Sequence, residues 1–267
     1  MSKSDRILAF IPAYRCAPQI VRVLRQFQDP AVHGHFSEIL VIDNVSPDDT
    51  AEAAIGESRA LALGKVTVVR NHANYGLGGS HKAAFTYAIE NGFTHVLVLH
   101  GDDQGSVQDI IPILRAGRYR DYDCCLGARF HPDARIEGYS TLRVVGNHAF
   151  NRLFSAACGR KLHDLGSGLN LYETAPLKSG YWRKFHDNLM FNYCMILAHV
   201  KRNDRLLFFP ISWREEDQVS NVKLFSQARR TLALLGSYLK NGERFLAQEF
   251  RETPVEEYRF ETLVKGV

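Results

Sequence analysis

The sequence predicts an α/β fold, with a mostly parallel nucleotide-binding sheet flanked by helices and a C-terminal helical extension. Three observations carry this. Short strand-like runs alternate with amphipathic helical runs through the first hundred residues, in the order β-α-β-α-β-α-β, which implies crossover helices between parallel strands. The run Val96-Leu97-Val98-Leu99 is apolar throughout and rich in valine, as a buried strand is. Three strand-like runs end abruptly in polar residues, and strand C-terminal ends are where open α/β sheets place ligand chemistry.

Taken in order, residues 7–11 are the first strand, closed by Pro12. An amphipathic helix over 18–27 follows, with Pro18 suited to its first turn. Residues 38–42 are the second strand, ending at Asp43, before a helix over 51–63. Residues 66–69 are the third strand; a loop with Asn74, Gly76, Gly78 and Gly79 then leads to a helix over 81–90. The fourth strand, 96–99, delivers His100-Gly101-Asp102-Asp103-Gln104. Beyond it lie a helix over 109–115, a strand over 124–128 ending at Arg129, a loop over 131–141 and a helix over 143–157. The turn 163–168 enters a short strand; a largely apolar helix spans 188–200. Residues 206–211 form a strand whose Pro210 places it at an edge or at its own end. A charged segment over 213–223 precedes an amphipathic helix over 224–238, and the polar tail from Glu249 reads as mobile. This gives two units, 1–223 and 224–267.

Composition narrows the function classes. With 267 residues, 45% hydrophobic and 23% charged, the chain can bury a sizeable core. A net charge of +4 suits phosphates or an anionic surface but is too small to argue for nucleic acid. Five cysteines without a CxxC pair read as free thiols of a reducing compartment, so a cytosolic location is expected. The N-terminal Met-Ser-Lys-Ser-Asp-Arg is not a signal-peptide pattern. No apolar run approaches the roughly 20 residues that span a bilayer, so any membrane contact is peripheral.

The polar strand ends have two readings each. Asp102 and Asp103, with Gln104 as a neutral oxygen, suit Mg²⁺ or Mn²⁺, which take oxygen ligands completed by phosphate and water. They equally suit an Asp-rich turn capping the next helix. Asp43 either accepts hydrogen bonds from a nucleobase or closes an Asx-turn. The glycines at 76, 78 and 79 would let backbone approach a diphosphate at a helix N-terminus, although neither GxGxxG nor a P-loop pattern is present. Adjacent Asp102 and Asp103 do not fit the two flanking acids of a glycosidase.

Together these stretches resemble glycosyltransferase family 2. Ile-Pro-Ala-Tyr at 11–14, the strand end at Asp43, the loop 74–79, the Asp102 cluster and the Ser167-Gly168 turn occur in the family's order. The dolichyl- or polyprenyl-phosphate sugar transferases are the subgroup most resembled, over about residues 5–225. The resemblance implies a GT-A fold, an inverting transfer from a UDP- or GDP-linked sugar, and Mg²⁺ or Mn²⁺. It puts Pro12, Ala13 and Tyr14 in the nucleoside pocket with Asp43 on the base, and Asn74 and Gly76 beside them.

The subgroup's Asp-Ala-Asp-Leu-Gln metal motif falls on 100–104. His100 stands where the first acid is expected, Asp102 and Gln104 fall on metal positions, and Asp103 on the variable one. His100 is then either an imidazole ligand, better for Mn²⁺, or a neutral histidine at the core edge. Arg129 matches the arginine of a Gly-Ser-Arg strand end, and with Arg143 it would bind acceptor phosphate. Arg143 reads equally as a surface helix charge. Ser167 and Gly168 would lie near the acceptor. A phosphate acceptor needs no general base; a hydroxyl acceptor needs one, for which Asp164 and Asp187 are the candidates. The family's Arg-x-x-Gly-x-Ser-Lys is altered over 214–223, which leaves the acceptor open between lipid phosphate and glycan. Other readings are a sugar nucleotidyltransferase and a catalytically silent nucleotide-sugar-binding protein. The stripe Leu224, Phe225, Ala228, Leu232, Leu235 and Leu239, with Arg229 and Arg230 nearby, reads either as an interfacial helix or as one packed on the domain.

Overall fold

The computed structural model describes residues 5–216 and 224–267. The strands are β1 (Ile7–Ala13), β2 (Glu38–Asp43), β3 (Val66–Asn71), β4 (His95–Leu99), β5 (Cys124–Ala128), β6 (Arg135–Glu137), β7 (Leu169–Glu173), β8 (Leu206–Pro210), β9 (Ser212–Arg214) and β10 (Phe260–Lys265). Eight of them form one sheet in the order β10-β3-β2-β1-β4-β7-β5-β8; β6 and β9 pair separately. The half built from β1 to β4 is parallel, as the crossover helices require. The other half is mixed, because β7 runs antiparallel between β4 and β5 while β8 pairs parallel with β5.

Both faces of the sheet are buried, so its strands are apolar on alternate as well as successive positions. Leu8, Phe10, Leu40, Ile42, Val96 and Val98 face one core. Ile7, Ala9, Ile11, Ile39, Val41, Leu97 and Leu99 face the other. Helices Gly76–Glu90 and Met190–Lys201 supply Ala84, Phe85, Phe191 and Leu197 to the first face; Ala17–Arg25 supplies Ile20, Val23 and Leu24 to the second. Adjacent Cys124 and Cys125 point to opposite faces, and the cysteines are free thiols.

The region 131–141, expected as a loop, contains β6, which pairs with β9. The tail expected to be mobile returns to the sheet: β10 pairs antiparallel with β3, covering an edge that would otherwise expose unpaired backbone. The sheet therefore runs across the expected boundary at 223/224. In helix Leu224–Lys240, Thr231, Leu234 and Leu235 are buried, so one face packs on the domain. Leu235, expected on a lipid-facing stripe, belongs to that packed face; the side chains of Leu224 and Phe225 lie outside the description, as do residues 217–223 with Ser220 and Lys223. Among the described residues no helix is long and apolar enough to cross a membrane.

Candidate active site

The sheet order places the ends of β2, β1 and β4 side by side. Ala13 lies opposite Asp43, and the Asn44 N–H donates to Ala13 O at 2.9 Å. On the other flank the Gly101 N–H donates to Pro12 O at 3.0 Å; a Cβ at position 101 would stand 2.9 Å from that oxygen, so glycine permits the approach. Pro12, Ala13 and Tyr14 thus sit between the Asp43 and Asp102 turns. Pro12 and Ala13 are buried; Tyr14 is exposed, with the Arg15 guanidinium 5.5 Å from its ring centre.

Asp43 is 0% exposed. Its carboxylate accepts from the Ser46 N–H at 3.2 Å and from Arg70 Nε at 2.9 Å. In this state the carboxylate fixes the turn and Arg70 and shows no surface to a nucleobase. Next to it stands a residue that sequence reasoning passed over. Asn44 donates to Asn74 Oδ1 at 2.8 Å and accepts from Asn71 Nδ2 and the Tyr75 N–H, both at 2.9 Å. This amide network ties the end of β2 to the loop 74–79. Its signal was an amide directly after the strand-end acid.

The glycine loop is built for a different approach than expected. The Gly78 N–H donates to Asp187 O at 2.7 Å, and the Gly79 N–H to the same oxygen at 3.3 Å. A Cβ at Gly76 would come within 2.4 Å of that carbonyl, and one at Gly78 within 2.3 Å of His186 O. The Gly78 and Gly79 N–H groups are thus committed to backbone and the Gly76 N–H to Asn74 Oδ1 at 3.0 Å, while the glycines at 76 and 78 admit residues 186–188. Asp187 itself accepts from Lys82 Nζ at 2.7 Å and from the Tyr258 hydroxyl at 2.6 Å, which anchors the C-terminal segment here.

At the end of β4 the two acids part company. Asp103 is 1% exposed and takes a left-handed backbone with φ +59°. It binds Arg22 Nε and Arg214 Nη2, each at 2.6 Å, and Gln26 Nε2 at 3.1 Å. These contacts make it a structural anchor, with both carboxylate oxygens engaged. Asp102 is partly exposed; its Oδ1 accepts the Gln104 N–H at 3.3 Å, so the Asx-type turn is present as well. Burial pushes the Asp102 carboxyl up to about 6 against the backbone N–H bonds, and Asp103 adds to the rise. Gln104 stands partly exposed in the same turn, its carbonyl accepting the Arg214 N–H at 3.0 Å.

His100 is pinned by the Ser167-Gly168 turn. Its N–H donates to Gly168 O at 2.9 Å, and a Cβ at Gly168 would meet its ring at 2.8 Å. The expected metal side and acceptor side therefore touch at this point. Burial, with Arg129 nearby, lowers the His100 imidazole to about 4, so the ring is neutral. Its Nε2 is buried without a hydrogen-bond partner. Among the described residues no group of three or more His, Cys, Asp or Glu could hold a metal by themselves.

On the expected acceptor side, Arg129 and Asp164 are brought together, but with each other. Asp164 accepts the Arg129 N–H at 2.9 Å and Nε and Nη2 at 2.8 Å each, while Nη2 also reaches Gly166 O at 3.1 Å. Burial opposes the Arg129 charge, but Asp164 outweighs it and keeps the guanidinium firmly protonated. Trp213 lies beneath it, 5.1 Å from the ring centre. Asp164 thereby anchors Arg129, both its oxygens engaged by guanidinium and backbone N–H groups. The Ser167 hydroxyl is buried and turns inward to Leu169 O and Asn170. Arg143 stands closer to solvent, paired with Glu215 at 2.6 Å and stacked on Tyr139 at 4.4 Å.

The Glycosyl transferase family 2 profile matches residues 9–186. The chain is 26% identical over 65% of its length to the undecaprenyl-phosphate mannosyltransferase of Micrococcus luteus, spanning 69% of that protein. It is 25% identical over 66% of its length to the polyprenol monophosphomannose synthase of Mycolicibacterium smegmatis, spanning 64% of it. A solved structure of glucosyl-3-phosphoglycerate synthase from Mycobacterium tuberculosis, in complex with Mn²⁺, UDP-glucose and phosphoglyceric acid, superposes with a TM-score of 0.62 at 15% identity. That likeness covers 89% of this chain and 80% of the other, and it concerns the fold.

Proposed function

The chain belongs to glycosyl transferase family 2, and from that premise we propose that it moves a sugar, with inversion, from a UDP- or GDP-linked donor to a lipid-linked phosphate. The observation that carries the reading is the row of polar residues across the adjacent ends of β2, β1 and β4, with Asp102 at the end of the row. The polyprenyl-phosphate mannosyltransferase names of the two relatives support the acceptor class.

The carboxylates favour a phosphate over a hydroxyl acceptor. Asp164 is held by Arg129, and Asp187 by Lys82 and Tyr258, so neither named candidate stands ready to take a proton. A phosphate attacks as an anion and needs no base. In this reading Arg143, on the rim, meets that phosphate, and Arg129, deeper and locked to Asp164, holds the wall behind it. Asn44 and Asn74 hold the nucleoside-side loop, and Asp43 sets that wall through Ser46 and Arg70.

A divalent ion, Mg²⁺ or Mn²⁺, is part of this reading, and the residues fit one. The orphaned Nε2 of His100 lacks a partner that a cation would supply, and Asp102 is an acid in the same turn whose charge burial disfavours. Asp102 and Gln104 would hold it, with His100 through Nε2, and it would offset charge on the departing nucleoside diphosphate. Among the described residues no group of three or more His, Cys, Asp or Glu is gathered to hold such an ion, so donor phosphates would complete its shell. The test is transfer of labelled sugar from GDP-mannose and UDP-glucose into a polyprenyl phosphate, with and without Mn²⁺. Asp102→Asn is expected to abolish the metal-stimulated transfer. Turnover by that variant at the wild-type rate and metal dependence would sink the assignment.

A further inference from the structure

We infer that helix Thr141–Cys158 is a docking surface for an anionic lipid bilayer. This rests on the lipid-phosphate reading and names the surface through which such an acceptor is reached. Residues at i, i+3, i+7 and i+11 share one helix face. Here those positions are Leu142, Val145, Ala149 and Leu153, and the three large ones are 76%, 60% and 44% exposed. Ala149 and Ala156 on the same stripe are exposed too.

The stripe is not what folds the helix. The opposite face does that: Phe154 is fully buried against Tyr193, and Asn151 donates to His163 O at 2.8 Å. A surface helix ordinarily carries polar groups on its outer face, and aliphatic side chains lined up in water there mark a contact surface.

Charge selects the partner. From residue 138 to residue 163 the chain contains no aspartate or glutamate, while Arg143, Arg152, Arg160 and Lys161 all occur. Arg152 and Lys161 are exposed. Aliphatic side chains flanked by cations match an anionic headgroup layer over its acyl boundary. Two copies of the same face would bring like charges together.

Position agrees. The first turn of the helix carries Arg143, paired with Glu215 on the acceptor rim, and its later turns hold residues 162–163, just before Asp164. The neighbouring helix Leu224–Lys240, which packs against this one, exposes Leu232 and Leu239 together with Arg229, Arg230 and Lys240. The lipid-facing surface is therefore centred on the earlier helix, with the outer face of the later one beside it.

The experiment is co-sedimentation of the intact chain with vesicles of phosphatidylglycerol and phosphatidylcholine, against phosphatidylcholine alone, at low and high salt. The wild type is expected to sediment with the anionic vesicles and to be released by salt. The triple variant Leu142→Gln/Val145→Gln/Leu153→Gln should lose binding by about tenfold or more. Arg152→Glu/Lys161→Glu should lose the preference for phosphatidylglycerol. Both variants should melt like the wild type and still transfer sugar to a water-soluble short-chain phosphate acceptor. No vesicle binding by the wild type at low salt overturns the inference, as does a triple variant that binds normally. So does a wild-type dimer in light scattering that the triple variant dissolves. Failure of the wild type to use the soluble phosphate acceptor, with vesicle binding intact, would instead count against the acceptor reading.

Discussion

Replacing Asp103 separates an anchor from a metal ligand. The side chain is 1% exposed and accepts two short guanidinium bonds, from Arg22 and Arg214, plus one from Gln26. A fully buried ion pair broken at one partner costs about 3–5 kcal/mol. Here the side chains of Arg22 and Arg214 are 37% and 43% exposed, so water and screening recover part of that on removal of the carboxylate. Asp103→Asn keeps the shape, keeps an oxygen for Gln26, and suits the left-handed φ of +59°. The expected loss is about 2 kcal/mol, or roughly 5 °C in Tm. Asp103→Leu adds about 1 kcal/mol of left-handed strain and removes one of the two acceptors of the Gln26 amide, so it should be less stable still.

Calorimetric unfolding measures the stability order, and titration of Mn²⁺ in the presence of nucleoside diphosphate measures the metal. The anchor role requires a lower Tm with donor-dependent metal affinity kept within about tenfold, in contrast to Asp102→Asn. An Asp103→Asn protein with unchanged Tm and no metal binding would refute the reasoning, because it would make Asp103 the ligand.

Further perturbations test neighbouring parts of the site. Asp164→Asn removes the partner of a guanidinium that is itself only 13% exposed, so the cost should approach about 3–5 kcal/mol and lower Tm by roughly 10 °C; lost activity at unchanged Tm would restore Asp164 as a base. Gly168→Ala drives a methyl to 2.8 Å from His100 Cγ and should cost about 1–3 kcal/mol by overpacking; a chemical-denaturation midpoint matching wild type would show that the ring is not pinned. Burial, with some help from Arg120, lowers His95 from 6.5 to about 4 in the native state, so between those values the unfolded chain binds a proton that the folded chain does not. Stability from this group is thus complete above pH 6.5 and falls as pH drops toward 4, by roughly 3 kcal/mol at most. Urea midpoints across that range should show a slope that His95→Asn flattens; an equal slope in the variant would assign the acid loss elsewhere.

The parallel half of the sheet was legible because local pattern suffices: apolar runs of strand length, helical periods between them, and polar residues at the ends. The convergence of Pro12–Tyr14, Asp43 and Asp102 follows from the strand order that such crossovers impose. Partnership between distant side chains was not legible. Asp102 and Asp103 are chemically identical in the sequence, and only the left-handed turn at 103 sends one carboxylate to Arg22 and Arg214. Arg129 and Asp164 each matched an expected role alone, yet they lie 35 residues apart and neutralise one another. The glycines at 76 and 78 were read as room for a diphosphate; what approaches them in the fold is the carbonyls of 186 and 187, from another part of the chain. β10 is a short polar-rich run whose strand character depends on the free edge of β3, which no local period reveals.

The two halves of the site are held to one short strand. In β9 and the residue after it, three consecutive side chains each grip a different arm: Trp213 under Arg129, Arg214 on Asp103, Glu215 on Arg143. The backbone joins in, since the Arg214 N–H donates to Gln104 O and Trp213 bridges Gly105. Transfer between two bound anions depends on holding attacking and leaving oxygens at a fixed separation, because misplacement by about 1 Å can cost orders of magnitude in rate. In the proposed reading Asp102 and Gln104 serve the donor, and Arg129 and Arg143 the acceptor. In that reading one short strand contacting both would help to set that separation. This also explains why Asp103 is worth a buried charge: it transmits the position of Arg214 directly to the turn that carries Asp102.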